Sequence, residues 1–236
     1  MPRRRNNRKR PSRKRRANNK PRMLSLGPTF PNGIIAKHKY TDQLVLSAGY
    51  TNNDIPASAL QSFRAASLFD PDRTNTGHQP LFYDEMALVY NQYRVLGAKI
   101  RLRFVNLCNE PVIIVGGHIG APLGTGWNPH QLMERKDIKS TILSPMTAGG
   151  KNQATLTLTY SPSKFYKQSK ENLQNDNGLV GLHDGSTVPS KMTYFEFGCA
   201  QVDSAQGGSL EHKVKVYVEI DYTAFWNDRK LKLTPS

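Results

Sequence analysis

Alternation of apolar and basic side chains across residues 94–106 limits the fold of this chain more than any other feature of its sequence. The apolar positions are Ile100, Leu102 and Phe104, and the positions between them hold Lys99, Arg101 and Arg103. Successive side chains of a β-strand point to opposite faces of a sheet, so the segment predicts a strand with one buried face and one charged face.

Short runs of the same period, separated by clusters of Pro, Gly, Asn and Ser, predict an all-β domain. The eight runs cover residues 37–48, 60–68, 94–106, 111–119, 139–144, 153–160, 191–202 and 211–223. A glycine-rich turn at residues 204–209 predicts that the last two strands form a hairpin.

The segments between these runs predict two helices and three long loops. Residues 82–92 and 129–136 are expected to be helical, with Asn128 as the N-cap of the second helix. The loops cover residues 49–59, 70–81 and 161–190, and we expect contacts between subunits there.

This pattern favours a single jelly roll, in which two four-stranded antiparallel sheets pack face to face. The alternative is an immunoglobulin-like sandwich, which usually has shorter loops and a Cys-Trp-Cys spacing that this sequence lacks.

Charge is segregated at one end of the chain. The net charge is +15, and residues 1–22 contribute +12 because they contain twelve basic and no acidic residues. These cations are Arg3, Arg4, Arg5, Arg8, Lys9, Arg10, Arg13, Lys14, Arg15, Arg16, Lys20 and Arg22. From Met23 onward, 21 basic residues face 18 acidic ones, a net charge of +3. We therefore expect a disordered basic arm attached to a nearly neutral folded domain.

Such an arm is expected to bind nucleic acid through phosphates, without reading sequence, because it has no aromatic side chain that could stack on bases. Two of its clusters also have the composition of nuclear-import signals. They are Arg3, Arg4 and Arg5, and Arg13, Lys14, Arg15 and Arg16.

Lys99, Arg101 and Arg103 are a second candidate for nucleic-acid binding, since one strand face spaces them along a line that a phosphate backbone could follow. The simpler interpretation is an ordinary solvent-exposed strand face. Trp127, Phe225 and Trp226 could stack on bases, although aromatic residues of a sandwich more often lie in the core or at an interface.

Signals for enzymatic or metal chemistry are weak, and we expect no enzyme, cofactor or metal site. The six histidines occur singly, without H-x-H or H-E-x-x-H spacing. Asp70 and Asp72 could hold a cation at a subunit boundary, but a turn that ends a strand explains the pair more simply. Cys108 and Cys199 suggest no disulfide framework, and no apolar stretch predicts a membrane span.

Two local motifs resemble the capsid proteins of circoviruses and related small circular single-stranded DNA (CRESS-DNA) viruses. Residues 90–100 (YNQYRVLGAKI) are similar to that family's Tyr-Arg-Val/Ile segment leading into a basic strand, and residues 214–220 (VKVYVEI), followed by Phe225, are similar to its last strand. The arm is shorter than many in that family and lacks the aromatics often interleaved there.

The resemblance implies a capsid protein that self-assembles into the smallest icosahedral (T=1) shell, with the arm on a single-stranded DNA genome inside the virion. It also implies a nuclear-import receptor as a partner before assembly and a cell-surface receptor contacted by exposed loops, whereas the lack of a long apolar stretch predicts no membrane partner. We divide the chain into an arm (1–22), a linker (23–33), a shell domain (34–226) and a tail (227–236). The alternatives are the coat protein of a small single-stranded RNA or satellite virus and a cellular nucleic-acid-binding protein.

Overall fold

The computed structural model describes residues 31–48, 55–74, 76–122, 128–182, 188–202 and 212–230. The strands in these ranges are β1 (Gly33–Ala48), β2 (Leu60–Arg64), β3 (Tyr90–Asn106), β4 (Val112–Ile119), β5 (Ile138–Leu143), β6 (Gln153–Tyr160), β7 (Val180–Leu182), β8 (Tyr194–Gln201) and β9 (His212–Arg229). The α-helices are α1 (Tyr83–Val89), α2 (Pro129–Met133), α3 (Pro162–Phe165) and α4 (Lys170–Gln174). The division into arm, linker, shell domain and tail stays a prediction, because residues 1–30 and 231–236 lie outside the described part.

The strands form two antiparallel sheets. The larger has the order β1-β9-β3-β6, with β7 pairing with β3 as well, and the smaller has the order β2-β8-β4-β5. Strands that neighbour each other within a sheet are mostly distant in sequence, and the chain passes repeatedly from one sheet to the other. This arrangement is a jelly roll, and it confirms the predicted fold class. The short β7 makes the larger sheet five-stranded rather than four-stranded.

The predicted hairpin between the last two strands is wrong. β8 pairs with β2 and β4 in the smaller sheet, whereas β9 pairs with β1 and β3 in the larger one. β9 is 18 residues long, and the 16 residues of β1 and 17 of β3 satisfy its backbone hydrogen bonds on both sides. The 8-residue β8 could satisfy fewer than half of them.

Both predicted helices are present, although shorter than expected. In α1, Asp84 and Glu85 occupy the first turn. The side chain of Asn128 accepts a hydrogen bond of 2.9 Å from the backbone N–H of His130, so it caps α2 as predicted. The segment 161–190 is not a plain loop, because it holds α3, α4 and β7. Arg94 ties this segment to β3 by donating to the carbonyls of Leu173 at 2.7 Å and Asp176 at 3.3 Å.

The core lies between the inner faces of the two sheets. On β3 the apolar members of the alternating segment are fully buried, as their period predicted. The rings of Phe104 on β3 and Phe197 on β8 meet edge to face, with centroids 5.7 Å apart, and join the two sheets. Other inward residues include Val214, Val216, Val218 and Ile220 on β9 and Val112, Ile114 and Phe195 on the smaller sheet.

A second buried group of aromatic rings surrounds Trp226 near the end of β9. The Trp226 ring lies 5.3 Å from Tyr93, 5.6 Å from Tyr83 and 5.7 Å from His38, measured between centroids. These residues come from β3, α1 and β1. The group therefore fixes the start of α1 against the larger sheet.

No helix within the described ranges is long and apolar enough to cross a membrane. Neither cysteine forms a disulfide within the described residues: Cys199 is buried and Cys108 is half-buried. Burial raises the pKa of the Cys199 thiol well above its ordinary range.

Candidate nucleic-acid interface

The twelve arm cations and both predicted import clusters lie outside the described residues. Their roles in binding nucleic acid and an import receptor therefore stay predictions. Trp127 also lies outside these residues.

Lys99, Arg101 and Arg103 lie on the outer face of the larger sheet, where all three are exposed. Their inward neighbours Ile100 and Leu102 are fully buried, so the predicted separation of a basic face from an apolar one is confirmed. The three side chains follow β3, which β9 flanks on one side and β6 on the other.

The neighbouring strand β9 places two carboxylates among these cations. Glu219 is the partner of Arg101 in the register, and Asp221 is the partner of Lys99. Glu219 accepts a hydrogen bond of 2.9 Å from Arg101 and forms a closer ion pair with Lys39 of β1. The hydrogen bond from Lys39 is the largest cause that lowers the pKa of Glu219, so this carboxylate is ionised at neutral pH. The two carboxylates of β9 therefore partly neutralise the three cations of β3.

Further cations on the same face come from β9, which lies beside β3, and from β1, which lies beside β9. Lys37 and Lys39 point outward from β1, and Lys213 and Lys215 point outward from β9. Over the described stretches 37–47, 97–105 and 213–223, this face carries seven cations and two carboxylates. We call it the basic sheet face. Sequence reasoning missed the four lysines because their proximity to Lys99 depends on strand order, although their alternation with buried residues was visible.

Threonines supply neutral donors to the basic sheet face. Thr155, Thr157 and Thr159 of β6 are the register partners of Arg103, Arg101 and Lys99. Hydroxyl groups, like Lys and Arg side chains, commonly contact phosphate oxygens in nucleic-acid complexes. The face can therefore bind phosphates electrostatically and by hydrogen bonds.

The remaining stacking candidates have different environments. Trp226 is fully buried, and its indole N–H donates a 2.9 Å hydrogen bond to His38, so the possibility that it stacks on bases is wrong. Its inward position on β9 causes the burial. Phe225, one residue earlier, faces outward and is 36% exposed, opposite Ile35 and Arg94.

Asp70 and Asp72 lie in the turn after β2, and the hydrogen bonds of Asp72 are those of a turn. One Asp72 oxygen accepts from the side chain of Gln61 at 2.8 Å and from the backbone N–H of Thr74 at 3.0 Å. Asp70 has a positive φ of 48°, and its carbonyl accepts from Arg64 at 2.6 Å. Among the described residues, no group of three or more His, Cys, Asp or Glu side chains is arranged to hold a metal ion.

Comparison with known proteins finds no matching family model and no matching curated protein. Solved structures that resemble the chain include a semi-empty virus-like particle of the nodavirus of the giant freshwater prawn Macrobrachium rosenbergii, at 12% identity and a TM-score of 0.44, covering 86% of this chain and 97% of that one. Desmodium yellow mottle tymovirus is similar at 12% identity and a TM-score of 0.40, covering 93% and 100%.

A T=1 subviral particle of a Penaeus vannamei nodavirus capsid protein deletion mutant is similar at 13% identity and a TM-score of 0.44, covering 84% and 97%. Identities this low carry no information on what this chain binds.

Proposed function

We propose that this protein is the coat protein of a small icosahedral virus, which assembles into a T=1-like shell and packages a single-stranded genome. The observation that carries the proposal is charge segregation: +12 in residues 1–22 beside +3 in the remaining chain. A polycationic segment supplies affinity for phosphates, and a nearly neutral jelly roll can associate with copies of itself without strong electrostatic repulsion.

The arm neutralises the genome without reading its sequence. If all twelve cations contacted phosphates of a single strand, the logarithm of the binding constant would fall against the logarithm of salt concentration with a slope of about −8, from −0.7 per contact. This value is an upper bound on the steepness, because cations that stay in solvent do not contribute.

The basic sheet face is proposed to lie toward the packaged nucleic acid, with Lys99, Arg101 and Arg103 as contacts. Seven cations against two carboxylates give this described face a local excess of +5, more than the +3 of the whole chain after Met23. This excess charge lies on a folded sheet. It therefore gives the nucleic-acid strand a surface to follow, in addition to the charge of the arm.

Self-association is supported by apolar side chains exposed on the described surface. Leu88 is 65% exposed, Ile142 56% and Met146 52%. Covering apolar side chains with a protein partner removes them from water, which favours association. In this proposal the partner is another copy of the chain.

The resemblance to circovirus capsid proteins supports circular single-stranded DNA as the genome, and the clusters at residues 3–5 and 13–16 support nuclear import before assembly. A basic arm binds the phosphates of RNA equally well, so the coat protein of an RNA or satellite virus uses the same chemistry. Nuclease treatment of the nucleic acid released from particles separates the two: loss to DNase is expected, and loss to RNase with resistance to DNase would overturn the DNA assignment.

The basic sheet face also favours a second candidate, a cellular nucleic-acid-binding protein that acts without a shell. Electron microscopy and size-exclusion chromatography of the purified full chain distinguish the two. A coat protein forms closed particles or pentamer-sized pieces, whereas a cellular binder elutes as a monomer or dimer under every salt and pH tested. The second result would overturn the viral proposal.

Deletion of residues 1–22 tests the role of the arm. The variant is expected to keep the β-rich circular dichroism spectrum of the full chain, because the apolar core lies in later residues, and to lose its copurifying nucleic acid and nuclear accumulation together. A matched variant with the twelve cations replaced by Gln keeps the arm's length and should behave in the same way. A deletion variant that packages as much nucleic acid as the full chain would contradict the role.

A further inference from the structure

A groove of about 710 Å³ crosses one end of the basic sheet face. Its polar lining consists mainly of lysines and threonines on neighbouring strands, and its apolar wall is the segment before α1. The polar residues include Lys37, Lys39, Lys99, Thr159, Asp221 and Thr223, and the wall consists of Leu81 and Phe82. The volume lies within the range of ordinary ligand sites.

Hydrogen bonds to β1 hold the apolar wall in place. The backbone N–H of Leu81 donates to the carbonyl of Lys39 at 3.0 Å, and His38 Nδ1 donates to the carbonyl of Leu81 at 3.0 Å. On the other side of Phe82, the ring of Tyr83 is buried and packs edge to face on Tyr93, with centroids 5.9 Å apart. Both neighbours of Phe82 are therefore fixed.

Phe82 itself is strained and exposed. Its φ is 65° and its ψ is 12°, in the left-handed region that non-glycine residues rarely adopt. Its side chain is 57% exposed, so the ring contributes little to the core. A glycine would adopt this backbone without strain, so folding alone does not require an aromatic ring at this position.

The cations that line the groove come from two strands. Lys37 and Lys39 stand on β1 and Lys99 on β3, with Asp221 of β9 between Lys39 and Lys99 in the register. Glu219 lies outside the groove lining and pairs with Lys39. Three ammonium groups against one carboxylate leave the groove with a positive excess beside an exposed aromatic face.

We propose that this groove binds a nucleotide of single-stranded nucleic acid, with its phosphate on the lysines and its base stacked on Phe82. The inference deepens the proposed function, since it assigns a fixed contact on the shell domain to a strand that the arm holds loosely. Stacking needs an unpaired base, so the groove selects single strands over duplexes and tolerates any base. An apolar protein partner would cover Phe82 but would add no counter-charge to a groove that carries a net positive charge.

Photocrosslinking of the full chain tests the contact. The probe is an oligothymidylate with some thymines replaced by 5-iodouracil, which crosslinks to aromatic rings that stack on it. The probe is bound at high salt, where screening weakens the contribution of the arm more than it weakens stacking. After irradiation and digestion, mass spectrometry is expected to find the crosslink on Phe82.

Three variants of the full chain accompany the crosslink. F82L keeps an apolar side chain at the strained position but removes the ring, and should weaken oligothymidylate binding roughly five- to tenfold, the effect of one lost base stack. F82W keeps a ring and should retain binding. M133A removes a 43% exposed apolar side chain of α2, outside the groove lining, and should leave binding unchanged.

Three results would overturn the groove proposal while the proposed function stands. They are a crosslink that falls on Phe225 rather than Phe82, an F82L variant that binds as tightly as the unaltered chain, and an F82L variant that loses particle assembly with its oligonucleotide affinity intact. The last result would assign Phe82 to a contact between copies. Failure of the unaltered full chain to bind the oligonucleotide or form particles would instead overturn the proposed function itself.

Discussion

Lowering the pH should reduce the folding stability of the described domain through His38, a buried histidine whose two hydrogen bonds require the neutral imidazole. The side chain is 3% exposed. Its Nδ1 donates to the carbonyl of Leu81 at 3.0 Å, and its Nε2 accepts the indole N–H of Trp226 at 2.9 Å. Protonation would put a hydrogen on Nε2 facing that N–H, so both nitrogens would be donors and the bond to Trp226 would be lost.

The sign of the effect follows from the direction of the pKa shift. Burial lowers the pKa of His38 below its ordinary value of 6.5, although the hydrogen bond to Leu81 opposes this. The unfolded chain therefore binds a proton more readily than the folded one. The stabilisation is complete above the ordinary pKa and is lost as the pH falls toward the folded pKa. One such group changes the free energy of unfolding by at most about 1.4 kcal/mol per pH unit.

The assay is urea unfolding at a series of pH values from about 7.5 to about 5.5, at a single protein concentration because self-association shifts the midpoint. Over this interval the His38 contribution should fall by at most about 1.4 kcal/mol. In H38Q, an amide can accept from Trp226 and donate to Leu81 without titrating, so its curve should lack this part of the pH dependence. Equal pH dependence in the two proteins would show that His38 does not cause the loss of stability in acid.

Two further predictions concern the larger sheet. A Cβ added at Gly181 would lie 2.3 Å from the Tyr93 ring, so G181A should lower the free energy of unfolding by about 1–3 kcal/mol in urea titrations. The matched control is G120A, whose Cβ would lie 3.5 Å from its nearest neighbour. This variant should change the free energy of unfolding less. E219Q removes the carboxylate that pairs with Arg101, so the salt dependence of oligonucleotide binding should steepen by about one phosphate contact. An unchanged slope would show that the basic sheet face does not meet the strand.

Local patterns predicted the strands because side-chain alternation depends only on neighbouring residues. The segment around Ile100 became β3 with the expected inner and outer faces, and the run at residues 153–160 became β6 with the predicted bounds. The strand pattern also misled at residues 191–223, where two adjacent runs suggested a hairpin. There the lengths of β1 and β3 decided the pairing of β9, and strand length against distant partners is not a local property.

The all-β class, the inward face of β3 and the concentration of positive charge before Met23 can be read from the amino-acid sequence, because periodicity and charge are properties of neighbouring residues. Which strands lie side by side becomes visible only in the folded chain. Through that order Glu219 meets Arg101 across 118 positions of sequence, and Phe82 lines a groove with Lys37 and Lys99. These contacts depend on backbone hydrogen bonds between segments that are distant in sequence. Side-chain alternation within one segment does not specify its partner strands.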